Sequence, residues 1–220
     1  MKRIPLFPLG LVLLPGMSLP LHIFEERYKL MISECLAADT PFGIVFFNGH
    51  SIRSVGCMAR VYRVLHRYED GRMDILTQGE RRFFIHEIIE EKPYMEAQAV
   101  FFDDEAASAS ETPAEVVRNA QAALRQMKDT GLPDDILEEK ALADPSDLAF
   151  AIAALEGFSH DERQRFLEMT SSAERLRKTI EVLGRIAERA RLTIKIQSII
   201  GGNGHPPHSI LKTLAVEKDR

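Results

Sequence analysis

The chain has 220 residues, 45% of them hydrophobic and 28% charged, ordinary proportions for a folded soluble protein and enough for one domain with an extension or two small domains. A formal net charge of -5 argues against a general nucleic-acid binder, because neutralising phosphates calls for a basic surface. Lys2-Arg3 precedes an apolar run, but Pro5, Pro8, Pro15 and Pro20 would break the helix of a signal peptide and no apolar run reaches the ~18 residues of a membrane span, so a cytoplasmic protein without membrane contact is expected.

The stretch 4–36 organises the rest. Residues 9–14 are continuously apolar and bounded by Pro8 and Pro15-Gly16, which predicts a doubly buried strand followed by a type II turn, with Gly16 at the position that needs φ > 0. Pro20 holds Leu19 extended. Phe24, Tyr28, Met31 and Cys35, with Ile32 and Leu36 beside them, then share one helical face, and Glu25 and Glu26 suit the positive end of that helix. Phe42–Phe47 is a second apolar strand, ended by Asn48-Gly49. Val55, Cys57, Ala59 and Val61 alternate with other residues as a half-buried strand, and Asp70-Gly71 turns it into a hairpin with residues 73–77. Gly79 is expected to interrupt before a strand over 83–89, and Pro93 to introduce a last strand over 94–102. Short strands with regular turns and one early helix suggest a small closed or nearly closed β-structure.

Residues 103–111, acidic and rich in small residues, read as a linker between a β half (1–104) and an all-helical part (112–200), with a loose tail over 201–220. Thr112-Pro113-Ala114-Glu115, Asp144-Pro145-Ser146-Asp147 and Ser159-His160-Asp161-Glu162 carry helix-start patterns. A last, long helix starts near Ser171 or Ser172 and is expected to stop at Gly201-Gly202-Asn203-Gly204. It is apolar on two faces, so it packs on two things: its helical neighbours and the β half, or, through a dimerising coiled coil, a second copy.

No catalytic constellation is expected. The chain has no G-x-x-x-x-G-K-[ST] loop, and Ser209-Ile210-Leu211-Lys212 fits S-x-x-K only by chance in a loose tail. His205 and His208 give two of the four ligands of a zinc site, and His86-Glu87 has Glu90 where a zincin motif needs its second histidine. Cys35 and Cys57 match no metal or redox spacing and read as small buried hydrophobes in a reducing cytosol. No metal and no cofactor are therefore expected.

Pro5-Leu6-Phe7-Pro8-Leu9, Leu14-Pro15-Gly16, Leu19-Pro20-Leu21 and Ile23-Phe24-Glu25-Glu26-Arg27-Tyr28 stand in order along the first stretch. They are followed by Val55-Gly56-Cys57-Met58-Ala59-Arg60-Val61, Asp70-Gly71-Arg72, Thr77-Gln78-Gly79-Glu80-Arg81-Arg82-Phe83 and, more faintly, Arg175-Leu176. This series resembles the N-terminal substrate-recognition domain of Lon proteases, which also occurs as a free-standing protein. The resemblance implies an α+β fold: a PUA-like, mostly antiparallel β pseudo-barrel with an early helix, followed here by helices ending in the long one.

The resulting expectation is a non-enzymatic, ATP-independent module that recognises exposed or extended polypeptide segments, alone or as an adaptor for a protease or ATPase in trans. Leu13, Met17, Leu19 and Phe24 are the candidate peptide-binding residues; core packing competes with that role for each. The alternative is RNA binding through Arg60, Arg63, Arg81 and Arg82, with Tyr62 and Tyr68 to stack bases. Against it, strand arginines commonly cover apolar surface or pair with carboxylates such as Glu80, Glu87, Glu90 and Glu91.

Overall fold

The computed structural model describes residues 1–105, 115, 117–120, 122 and 145–203. The fold is α+β. Strands β1 (Lys2–Leu9), β2 (Ser18–Ile23), β3 (Phe42–Phe47), β4 (Ile52–Arg67), β5 (Met73–Ile89) and β6 (Glu96–Phe101) lie in the order β2-β5-β4-β3-β1-β6, and an added β5–β6 pairing closes the ring. Only β1 and β3 run parallel; the other pairs are antiparallel. Helix α1 (Glu26–Ala38) follows β2, and α2 (Pro145–Ala153), α3 (His160–Glu168) and α4 (Ser172–Asn203) follow the sheet.

The first strand is not the apolar run 9–14 but Lys2–Leu9, which contains Pro5 and Pro8. Each part of β1 is paired on one side: Lys2 to Pro5 with β6, Leu6 to Leu9 with β3. One-sided pairing tolerates a missing N–H, which is why the prolines fit. Val12, Leu13 and Leu14 are buried without joining a strand. They lead into the expected turn, where the Met17 N–H donates to the Leu14 carbonyl at 3.1 Å and Gly16 has φ +77.

Gly79 does not interrupt β5, which runs unbroken for 17 residues. On one side β5 pairs with β4 over Met73 to Phe84; on the other it pairs with β2 over Met73 to Gln78 and with β6 over Phe83 to Ile89. Gly79 sits at that change of partner. The turn clips onto it by two bonds of 2.9 Å, from the Gly16 N–H to the Gly79 carbonyl and from the Gly79 N–H to the Met17 carbonyl. A Cβ on Gly79 would lie 2.1 Å from the Leu14 carbonyl oxygen, so only glycine allows this approach.

Two hydrophobic clusters result. Ile4, Leu6, Val45, Met58, Phe83, Ala97 and Ala99 fill the barrel interior. The larger cluster runs from Phe7, Leu13 and α1 (Tyr28, Met31, Ile32, Cys35) over the outer face of β3 and on to Phe150, Phe166, Leu176 and Leu183 of the helices. The helices thus share a core with the sheet. Gln164 of α3 donates to the Val55 carbonyl at 3.1 Å, and its neighbour His160 lies 5.5 Å from the Phe46 ring.

The helix starts follow the sequence patterns to different extents. Ser159 accepts from the Glu162 N–H while the Glu162 carboxylate accepts from the Ser159 N–H, a complete capping box. Pro145 opens α2; Asp144 and the cap at 112–114 lie outside the described residues. Helix α1 begins at Glu26, leaving Phe24 in the extended segment before it. Helix α4 continues through Gly201 and Gly202 to Asn203, past the expected stop, and the tail motifs at Ser209–Lys212, His205 and His208 fall outside the described residues.

The described end of the expected linker is fastened down. Asp104 lies between the buried guanidiniums of Arg82 and Arg175, and Arg82 also donates to the carbonyls of Leu167 and Met169. Glu105 accepts from the Thr170 hydroxyl at 2.7 Å.

Candidate functional site

The four candidate peptide-binding residues separate. Leu13 is 1% exposed and Leu19 8%, both inside the large cluster, so neither side chain offers a binding surface. Met17 is half-buried against that cluster. Phe24 is 59% exposed, its ring stacked 5.9 Å from His22. Met17 and Phe24 therefore stand at the two ends of β2, whose second edge has no strand partner among the described residues. Pro20, in the middle of that edge, lacks the N–H an added strand would need.

The four arginines do not form one free positive face. Arg60 binds Glu80 at 2.6 Å and Asp39 at 3.1 Å, and Arg81 binds Asp103 at 3.1 Å. Arg82 is interior, within the Asp104 clasp. Burial lowers its pKa, and the Asp104 charge opposes that. Arg63 lies beside the Tyr62 ring.

A concave apolar surface appears elsewhere, where the barrel interior opens. Ile52, Ile85 and Met95 pack on the interior cluster but remain partly exposed, and Phe47 and Ile88 beside them are each 39% exposed. Two hollows adjoin there. One, of about 460 Å³, is lined by residues that include Pro8, Arg27, Phe47, Ile52, Glu90 and Met95. The other, of about 370 Å³, is lined by residues that include Phe47, His50, Ile52, Arg53, Ile85 and Ile88. Phe47 and Ile52, which face each other across β3 and β4, line both. An apolar concavity rimmed by a few polar groups is the usual form of a binding site.

The cations of the rim are paired. Lys92 binds the Glu34 carboxylate at 2.6 Å and the Tyr94 hydroxyl donates to the same oxygen. The Lys92 bond first, then the Tyr94 bond, hold Glu34 below the usual carboxylate range, so both groups stay charged and paired at neutral pH. Arg27 is tied to Glu25 at 2.7 Å and stacks over Tyr28. None of Phe47, Ile52, Ile85, Ile88 and Met95 was singled out from the sequence as a binding residue. The legible sign was the spacing of Ile85 and Ile88, which breaks strand alternation and marks the register shift between Ile85 and Glu87.

Residues 3–185 match the family profile described as the ATP-dependent protease La (LON) substrate-binding domain. The chain belongs to this family. It is 31% identical over 202 residues to a Lon protease of Roseiflexus castenholzii and 26% identical over 211 residues to Lon protease 2 of Myxococcus xanthus, covering 87% and 90% of this chain. It spans 25% of the length of each of those relatives. Among solved structures, the N-terminal domain of Mycobacterium avium complex Lon protease aligns with a TM-score of 0.68 at 20% identity, over 82% of this chain and 97% of that one. The Lon N-terminal domain protein from Xanthomonas campestris aligns at 0.65 and 22% identity, over 82% and 98%. These likenesses carry the fold, a PUA-like pseudo-barrel with appended helices. The matched region is a substrate-binding domain, not a catalytic one. Among the described residues no helix is long and apolar enough to cross a membrane.

Proposed function

We propose that this protein is a non-enzymatic recognition module that takes exposed apolar segments of polypeptides into the mouth of its barrel. The observation that carries the reading is the opening of the barrel interior at Phe47, Ile52, Ile85, Ile88 and Met95, a concave apolar surface on a Lon substrate-binding fold. Met95 adds an adaptable side chain suited to varied partners. The relatives named above are proteases, and the reading includes delivery of the bound segment to a protease or ATPase in trans, in the cytoplasm. A second reading places the segment along β2, and it rests on the exposure of Phe24.

Titration of a fluorescent unfolded polypeptide against the wild type, Phe47→Asp and Phe24→Ser separates the two. Burial of an aromatic side chain at the mouth stabilises the complex by about 1.5 kcal/mol, so Phe47→Asp should weaken binding about tenfold and Phe24→Ser leave it unchanged. The reverse pattern would move the site to β2. RNA titrated in parallel at two salt concentrations should show no saturable binding.

A further inference from the structure

We propose that the two hollows of the mouth select apolar segments flanked by charges of opposite sign, with a basic residue beside Glu90 and an acidic residue beside Arg53. This rests on the mouth being the polypeptide site and adds which sequences it takes. In the first hollow, both cations are neutralised in place: Lys92 by Glu34 and Arg27 by Glu25. Glu90, exposed and with no ion pair among the described residues, is left as the unbalanced charge.

Among the described residues the second hollow has no carboxylate in its lining; Arg53 stands there with His50, Ser51 and Ser54. The carboxylate paired with Arg53, Asp161, is 3.9 Å away, too far for a hydrogen bond, so the guanidinium keeps donors for a ligand. The apolar Phe47–Ile52 pair lines both hollows, the one that holds Glu90 and the one that holds Arg53. An extended segment advances 3.2–3.4 Å per residue, so one that buries its apolar side chains on this pair carries its flanking residues into both hollows. The occupant that fits is therefore an apolar polypeptide segment with one basic and one acidic flank.

The test uses short fluorescein-labelled peptides with one apolar core and flanks of Lys/Asp, Asp/Lys, Lys/Lys or Asp/Asp. They are titrated against the full chain at low salt and at about 1 M salt, where screening acts within about 3 Å. The wild type should bind both mixed-charge peptides about threefold more tightly than the like-charged ones, the size expected of a pair of solvent-exposed charges. Glu90→Lys should shift the preference to Asp/Asp, Arg53→Glu should shift it to Lys/Lys, and high salt should remove both. Equal affinity for all four peptides, with Phe47→Asp still weakening each, would overturn the charge selection and leave the mouth as the site. If Phe47→Asp changes nothing, the mouth is not the site and both readings fall. Urea midpoints of the variants equal to that of the wild type tie these effects to binding.

Discussion

Arg175 is wholly buried and Arg82 nearly so, and both are held by one carboxylate, Asp104. Removing it leaves two guanidiniums without their counter-charge, so Asp104→Ala should cost about 3–5 kcal/mol, read as a fall in the urea midpoint. Burial alone would raise the Asp104 pKa, but the hydrogen bond and charge of Arg175, with the charge of Arg82, hold it below the ordinary value. A depressed folded pKa gives stability that is present above the unfolded value, about 3.9, and lost as pH falls through the lower folded value. The wild type should therefore lose stability below about pH 4, and Asp104→Asn should show a shallower loss there. Cys57 and Cys35 are the other buried titratable groups of note, their thiols pushed up to about 12 and about 11 chiefly by desolvation. Neither should react with a thiol reagent at neutral pH until the chain is unfolded; rapid labelling of the native protein would contradict that packing. The burial of both cysteines was legible from their apolar surroundings. The roles of Arg82 and Arg175 were not, because a single arginine in a sequence does not announce a partner about twenty or seventy residues away.

Elements whose signals are local were readable. Phe42–Phe47 has the same bounds in sequence and structure, since Asn48-Gly49 ends it regardless of context. The Ser159 capping box formed because all its atoms lie within four residues; Ser159→Ala should cost about 1 kcal/mol in thermal or urea unfolding. Elements whose limits depend on partners were not readable. Residues 9–14 look like a strand, but among the described residues no strand pairs with residues 10–14, whereas the proline-containing Lys2–Leu9 is paired by β6 and β3 in turn. Gly79 looks like a break and is instead the point where β5 exchanges β2 for β6 while the turn at Gly16 docks on it. Gly79→Ala should displace that turn or unfold the chain, with a loss of more than about 3 kcal/mol; a neutral substitution would contradict the 2.1 Å approach.

Across the whole molecule, one hydrophobic cluster joins α1, the outer face of the sheet and the helices α2 to α4, while a separate one fills the barrel and opens at its mouth. The first cluster consumed two of the side chains singled out for binding from the sequence, Leu13 and Leu19; at the mouth of the second, Ile52, Ile85 and Met95 pack on it and stay partly exposed, with Phe47 and Ile88 exposed beside them. That exchange follows from closure of the ring, a long-range event that strand periodicity does not encode. The most direct test of the account is the binding of a fluorescent unfolded polypeptide to the wild type and to the double variant Phe47→Asp/Ile88→Asp, with unfolding midpoints measured alongside. The account predicts saturable binding by the wild type and a loss of at least about tenfold in the variant at unchanged stability. Undiminished binding by a folded double variant would contradict it.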